Sequence, residues 1–559
     1  MSDFFKNLDR KKIIVGTIYI IGAILVCIFL PQIMSFGNPE VKQALKGAMK
    51  FFQIILFVFL LIMPVIVLQK GGGISNKNTK KYGDQGTATR GTIGELRDLC
   101  GKDGLSLSRN VRLSASKSYE HVAIIGPTGS GKSSAFFIPN LLDLDGKHSA
   151  VVTDPKGELH ELTYRYLKSL NYNIIKLEPL NPKANEFYYN PLLIVEDITQ
   201  IREVAQLILT NGNKAVEIAT GSSSGGAEWI NMSIPLLVAA FAYVKEFGNK
   251  KTINEAIDII LQDSLEEMER KFKKYPGAYR NFLIFKSSAG SEKTLSSIKS
   301  VLTTNVQLFL DDKIEEFTKS PIAVDDDGAK YIDMEKVFNP LILRQKPTVL
   351  FVCVPEIKST YMMPLMSVFY SQVLDVCMNN KEGCPIFFLL DEFANIGVIP
   401  SIANITATAR SRRIGIALGL QGVEQLRRNY GEENAADILN NLKAKVIFSG
   451  LTGDSAQYVS DLAGVTTVES ISYSNNPNQG ANGQDFLGNI ISSVTGGGTS
   501  VSRSGVRREL LTPDEVRRMD PDDVLIIAHN KNPVFDKKNT YFTQRKYTLI
   551  LEKFKPLNK

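Results

Sequence analysis

The apolar run Val122-Ala-Ile-Ile125 passes without interruption into Gly126-Pro-Thr-Gly-Ser-Gly131-Lys132-Ser133, and no other stretch limits the possible folds so tightly. Glycines at this spacing let successive backbone N–H groups curl round phosphate oxygens, while Lys132 can neutralise charge on the terminal phosphates and Ser133 offers a hydroxyl to Mg²⁺. Such a loop works where a buried strand ends and a helix begins, because the helix N-terminus adds its own field for an anion. The sequence therefore predicts ATP on Gly126, Pro127, Thr128, Gly129, Ser130, Gly131, Lys132, Ser133 and Ser134, at the carboxyl edge of a sheet. The alternative is an ordinary glycine-rich turn, for which the lysine and serine that follow would have no purpose.

Five further runs of strand length follow, SAVVTD, TVLFVCVPE, PIFFLLDE, RIGIALGLQ and AKVIFSG. Near-continuous apolar character means burial on both faces, and helical stretches between the runs point to a doubly wound, mostly parallel α/β sheet with its ligands at the carboxyl ends of the strands. VLIIAH, near residue 525, resumes the sheet. The run Phe387-Phe-Leu-Leu390 ends in Asp391-Glu392, two carboxylates where desolvation makes an idle charge costly. Beside a phosphate loop they read as the Mg²⁺ residue, Asp391, and the residue that polarises the attacking water, Glu392. Ile414 to Leu420 ends in Gln421, either a sensor of the terminal phosphate or a polar strand end facing solvent. Ala409-Arg-Ser-Arg-Arg413 is either a solvated basic loop or the source of a finger for a neighbouring subunit's ATP, with Arg410 the first choice and Arg412 the reserve.

Residues 13–34 and 51–68 carry no charge. At about 1.5 Å rise per residue each approaches or exceeds the length needed for a hydrocarbon core of roughly 30 Å. Lysines and arginines before the first span and after the second favour both ends inside. The first apolar stretch is too long for a cleaved leader and has no small-residue cleavage site. The expected order is a cytoplasmic N-terminus 1–12, helices 13–34 and 51–68 joined by a short outer loop 35–50, and the bulk of the chain in the cytoplasm.

Other chemistries find little support. Five cysteines and four histidines show no metal-ligand spacing, which argues against a zinc hydrolase. A formal charge of +7 permits contact with nucleic acid without demanding it, and no base-reading signature is present. Residues 196–320 interrupt the strand series and read as an inserted all-α domain between nucleotide-binding parts 69–195 and 321–559. There Thr252 and Glu255 form a capping-box pattern, and Ile257, Leu261, Leu265, Met268 and Phe272 recur at helical spacing, as do Leu295, Ile298, Leu302, Val306 and Phe309. The Gly/Ser/Asn-rich stretch 465–507 reads as a long loop.

Taken in order, two N-terminal spans, Gly86 to Thr89, GPTGSGKSS, Val152-Thr-Asp154-Pro155-Lys156-Gly157-Glu158, Tyr189-Asn190-Pro191-Leu192, LLDEFANIG and Gln421 to Tyr430 resemble the TraG/TraD-type coupling proteins of conjugation over nearly the whole chain. The resemblance implies a RecA-like ring of six subunits in the cell membrane, ATP hydrolysis coupled to passage of single-stranded DNA with an attached relaxase, and contact with the proteins of a type IV secretion channel. It implies the roles already read for Lys132, Ser133, Asp391, Glu392, Gln421 and Arg410. Two features depart from the family, the very short outer loop and the sequence from Glu552 to Lys559, which lacks the acidic tail by which some relatives dock accessory proteins. Two other readings share the motifs, a receptor and motor for protein effectors and a docking platform held together by nucleotide.

Overall fold

Side chains alternate across one continuous sheet, so each strand feeds two cores: Val122 and Ile124 pack into one, Ala123 and Ile125 into the other. The computed structural model describes residues 86–221, 226–325, 327, 329–475 and 499–555, all within the unit Gln85–Lys559. The spans expected at 13–34 and 51–68, with residues 1–12 and 35–50, lie outside the described residues.

The thirteen strands described are β1 (Val122–Ile125), β2 (Ser149–Thr153), β3 (Asn173–Leu177), β4 (Ile322–Val324), β5 (Lys330–Ile332), β6 (Thr348–Val352), β7 (Ile386–Leu390), β8 (Ile414–Leu420), β9 (Ala444–Phe448), β10 (Val465–Asn475), β11 (Thr499–Glu509), β12 (Asp523–Ala528) and β13 (Val534–Lys537). Nine form one sheet in the order β13-β12-β9-β1-β8-β7-β2-β6-β3. It is parallel from β9 to β3, and β12 and β13 close one edge antiparallel. Every run read from sequence is a strand of this sheet. The two strands not read, β3 and β13, are its edges, where Asn173, Lys176, Asp536 and Lys537 dilute the apolar pattern.

The run of helices between β3 and β4 packs on one sheet face and shares its core, so Phe241, Phe282 and Leu302 belong to the same apolar cluster as Ile125, Val151 and Leu390. Helix Ala227–Phe247 is, among the described residues, the one long and apolar enough to cross a membrane, and 72% of its apolar window is buried. Packing inside the helical layer accounts for that composition. The stripe expected across 257–272 is broken: Ile253–Gln262 and Leu265–Phe272 are separate helices, the second started by its own Ser264–Glu267 capping box, and Leu261 is 44% exposed. The capping box expected from Thr252 is half made. Thr252 Oγ1 accepts from Glu255 N at 3.2 Å, but the Glu255 carboxylate reaches further back, to the N–H groups of Asn249, Lys250 and Lys251. The second stripe lies on helix Glu292–Val306 and its following turn, with Ile298, Leu302, Val306 and Phe309 buried.

The loop read over 465–507 is corrected at both flanks, where β10 and β11 pair antiparallel from Val465↔Glu509 to Asn475↔Thr499. Alternating Thr, Val, Ser and Ile residues supply the β propensity that the glycines and asparagines between them obscured. Segment 86–89 joins this ribbon. Ala88 N donates to Val465 O at 2.9 Å, and a Cβ on Gly86 would lie 2.4 Å from that same oxygen, so only glycine permits the approach.

Candidate nucleotide site

Four strands bring the site together. β1 lies between β9 and β8, and β7 lies beyond β8, so Gln421 at the end of β8 falls between the phosphate loop after β1 and the carboxylates after β7. Their proximity follows from strand order rather than from sequence neighbourhood.

The loop has the backbone that its glycines predict, with positive φ at Gly129 (79°) and Gly131 (92°). Gly126 is needed for space, since a Cβ there would meet the Phe448 side chain at 2.6 Å. The chain then enters one π-helical turn, Ser133–Phe137, and continues as α-helix through Leu142. Lys132 folds back over the loop, its ammonium donating to Gly126 O at 2.6 Å and Pro127 O at 3.3 Å. Burial lowers its pKa, against the pull of Asp391 and Glu392.

Ser133 Oγ donates to Asp391 Oδ2 at 2.6 Å, while Asp391 Oδ1 is buried with no hydrogen-bond partner. Burial pushes the Asp391 carboxyl up, opposed by the Ser133 hydrogen bond and Lys132. A buried carboxylate oxygen without a partner is costly, and the pairing of a serine hydroxyl with one such carboxylate fits Mg²⁺, which prefers few protein ligands with phosphate and water completing its shell. Gly419 makes the room, because a Cβ there would stand 2.9 Å from Asp391 Oδ1.

Glu392 occupies left-handed backbone, φ 57° and ψ 48°, a strained state for a side-chain-bearing residue that persists only where neighbours hold it. Asn395 Nδ2 donates to its Oε2 at 2.9 Å and Gln421 Nε2 to its Oε1 at 3.4 Å. Gln421 is itself braced by Gln425, whose Nε2 donates to Gln421 Oε1 at 3.1 Å. Burial raises the Glu392 pKa, followed by repulsion from Glu356 and Asp391, which makes its carboxylate a readier proton acceptor than an exposed one.

Arg410 is not brought to this cluster. It precedes β8, so the length of that strand, roughly 20 Å at about 3.3 Å per residue, separates it from Gln421. Its guanidinium is 63% exposed and pairs with Glu120 at 3.0 Å. Arg412 is engaged at home, donating to Met378 O at 2.6 Å.

Four residues of the site were given no role there from the sequence, Lys156 being read only as part of the run Val152 to Glu158. Glu356 and Lys156 line the same cavity as Lys132, Asp391 and Glu392, and Lys538 Nζ donates to Ser130 O at 2.7 Å. Tyr541 N donates to Ser134 O at 3.0 Å. Glu356 carried a signal, a charged residue closing the run TVLFVCVPE; Lys538 and Tyr541 reach the loop only through tertiary folding.

The remaining motifs are joints. Asp154 accepts from the N–H groups of Leu159 and His160 at 3.2 and 2.8 Å, capping helix Glu158–Ser169. Asn190, fully buried, donates to Lys251 O and Ser320 Oγ at 2.9 Å each and accepts from Leu192 N, which clasps the two ends of the helical run. Tyr430 receives Ile399 N at 3.1 Å and stacks on Phe393, bracing the turn that carries Glu392.

A family model described as "Type IV secretory system Conjugative DNA transfer" matches residues 80–559. The chain is 27% identical to protein VirD4 of Rhizobium rhizogenes over 444 residues, 77% of this chain and 60% of that protein. It is 24% identical to the conjugal transfer protein TraG of Escherichia coli over 472 residues, 76% of this chain and 67% of that protein. The chain thus spans about 60% of the length of VirD4. Among solved structures, the bacterial conjugative coupling protein TrwBdeltaN70 superposes with a TM-score of 0.58 at 17% identity, covering 82% of this chain and 93% of that one. TrwB in complex with ADP and Mg²⁺ superposes at 0.57 and 16%, covering 82% and 94%. At these identities the likeness shows a shared fold.

Proposed function

Because the chain belongs to the type IV secretory system conjugative DNA-transfer family, we propose that it is a membrane-anchored, ring-forming ATPase that brings relaxase-bound single-stranded DNA to a secretion channel and drives its passage. The contact of Ser133 with Asp391 at 2.6 Å, beside the unpartnered Asp391 Oδ1, carries this reading. TrwB, of the same fold, has been captured with the ATP analogue ADPNP and with ADP and Mg²⁺, which supports these ligands here.

On this reading Gly126 to Ser134 wrap the phosphates with backbone N–H groups, and Lys132 exchanges its two loop carbonyls for phosphate oxygens. Ser133 and Asp391 would hold Mg²⁺. When bound, that ion neutralises phosphate charge and fixes the phosphates' orientation. Glu392 polarises a water against the terminal phosphate, and Gln421, hydrogen-bonded to the Glu392 carboxylate, reports whether that phosphate is present. Arg410 cannot serve its own site across the sheet, so its role is in a neighbour's, within a homo-hexamer anchored by 13–34 and 51–68. Grip on DNA goes to its backbone, as a motor indifferent to sequence requires.

In donor cells carrying Lys132→Ala alone, the protein should remain in the membrane fraction while DNA transfer is lost. Undiminished transfer would overturn the proposal.

A further inference from the structure

Glu120 and Arg410 precede β1 and β8, neighbours in the sheet, at the edge opposite the phosphate loop. Arg410 Nη1 lies 3.0 Å from Glu120 Oε1, the carboxylate being 8% exposed and the guanidinium 63%. We infer that Glu120 is a positioning residue for Arg410, fixing one nitrogen so that the Nε–Nη2 edge stays free for the terminal phosphate of ATP in a neighbouring copy of this chain. The inference rests on the reading of Arg410 as a finger in trans and adds to it the residue that aims it.

The carboxylate is itself held on both oxygens. Lys117 Nζ donates to the same Oε1 at 3.0 Å, and His529 Nδ1 lies 3.3 Å from Oε2. Lys117 already balances its charge, so Arg410 is not needed for neutrality, and an ion pair with one partner so exposed contributes little stability. What the contact supplies is order, because a long side chain with one nitrogen fixed loses less freedom on meeting a phosphate. The surrounding backbone is tied down as well. Glu120 O accepts from Lys443 N at 3.0 Å and His529 N donates to Lys443 O at 2.8 Å, while the buried His121 Nδ1 accepts from Ile416 N at 3.1 Å, so the ends of β1, β8, β9 and β12 converge on the pair. Six described residues other than glycine have positive φ, and three of them, His121, Arg413 and His529, flank it. Such backbone is costly and collects where a geometry has to be held.

The adjacent arginines differ in the way that matters. Arg412 Nε donates to Met378 O and Arg413 Nη2 to Gly383 O, both at 2.6 Å, so each spends part of its fork on its own subunit's backbone. Arg410 is anchored at Nη1, and its Nε–Nη2 edge, which can pair bidentately with phosphate oxygens, makes no hydrogen bond among the described residues. A ring joined head to tail sets unlike faces against each other, here the edge that carries Arg410 and the edge that carries Lys132.

ATP turnover and nucleotide affinity of the full chain in detergent, for Glu120→Gln, Glu120→Asp, Arg410→Ala and the double variant Glu120→Gln with Arg410→Ala, test the role. Glu120→Gln should lower turnover by about 10²-fold, the scale of a misplaced catalytic group, with affinity unchanged, and should cost nothing further on the Arg410→Ala background. Mixed with Lys132→Ala subunits it should regain part of that loss, which a defect in folding would not. Glu120→Asp keeps the buried charge beside Lys117 and His529 but draws it back from Arg410, so it should fold and lose turnover in the same direction. Full turnover in Glu120→Gln, or in Glu120→Asp should the glutamine variant not fold, would overturn the positioning role while leaving Arg410 as the finger; so would losses that multiply in the double variant. If Arg410→Ala itself keeps full turnover, the finger reading fails and the positioning role with it.

Discussion

Ser133 Oγ lies 2.6 Å from Asp391 Oδ2 across 258 positions of sequence. The serine begins the helix after β1 and the aspartate ends β7, two strands away, so the contact exists because the sheet threads β8 between them. It leaves the other Asp391 oxygen buried and unpartnered, as the proposed Mg²⁺ site requires.

Replacing Glu392 with Gln should leave nucleotide affinity within a few-fold and reduce turnover by about 10²–10⁴, the usual contribution of a positioned general base. Asn395 and Gln421 donate to different Glu392 oxygens, so the amide keeps an acceptor for one of them, the shorter Asn395 contact at 2.9 Å being the one to preserve. Binding and single-turnover kinetics on the same preparation separate the two effects, and unchanged hydrolysis would refute the role given to Glu392.

Asp391 should trade stability for function in a pH-dependent way. Burial lifts its carboxyl above the ordinary value of 3.8, so the folded chain holds that proton more tightly than the unfolded one. Ionisation then costs stability above the folded pKa, a cost that vanishes at pH below the unfolded value. Asp391→Asn should therefore melt higher than the unaltered chain at pH 7.5, with the gain fading as pH falls through the raised pKa towards 3.8. A gain independent of pH would contradict the assigned cause.

Much of this was legible beforehand because buried parallel strands must be apolar throughout and must end in whatever chemistry they present. That logic found β1, β2, β6, β7, β8, β9 and β12, and at the tips of β1, β7 and β8 the residues of the candidate site. It missed β3 and β13, which as edges need less apolar surface, and it read β10 and β11 as loop because their glycine- and asparagine-rich connection dominated the composition. Glu356 stood at a strand tip in plain view. Lys538 and Tyr541 did not, since nothing local in KKNTYF marks a segment that folds back onto a loop 408 residues earlier in the chain.

Arg410→Ala should lower turnover by about 10³ or more, as loss of a finger in trans does. The residue is exposed and its partner Glu120 keeps Lys117 and His529, so folding should be unaffected. Mixed with Lys132→Ala subunits, it should regain part of the activity, because some interfaces then pair an intact loop with an intact arginine. No recovery at any mixing ratio would remove Arg410 from the site.

Asn190→Ala should cost about 1–3 kcal/mol of stability, the penalty for leaving buried partners such as Lys251 O and Ser320 Oγ unpaired. Nucleotide affinity should hold, since the clasp joins the ends of the helical run and touches no part of the phosphate loop. Denaturant unfolding with a nucleotide titration distinguishes this structural role from a direct one.

The most direct test of the account is ATP hydrolysis by the full chain in detergent, measured against protein concentration with and without single-stranded DNA, beside Lys132→Ala and Glu392→Gln. We predict Mg²⁺-dependent turnover that rises with protein concentration and with DNA and is lost in both variants. Nucleotide bound without turnover under every condition, or turnover indifferent to both substitutions, would contradict it.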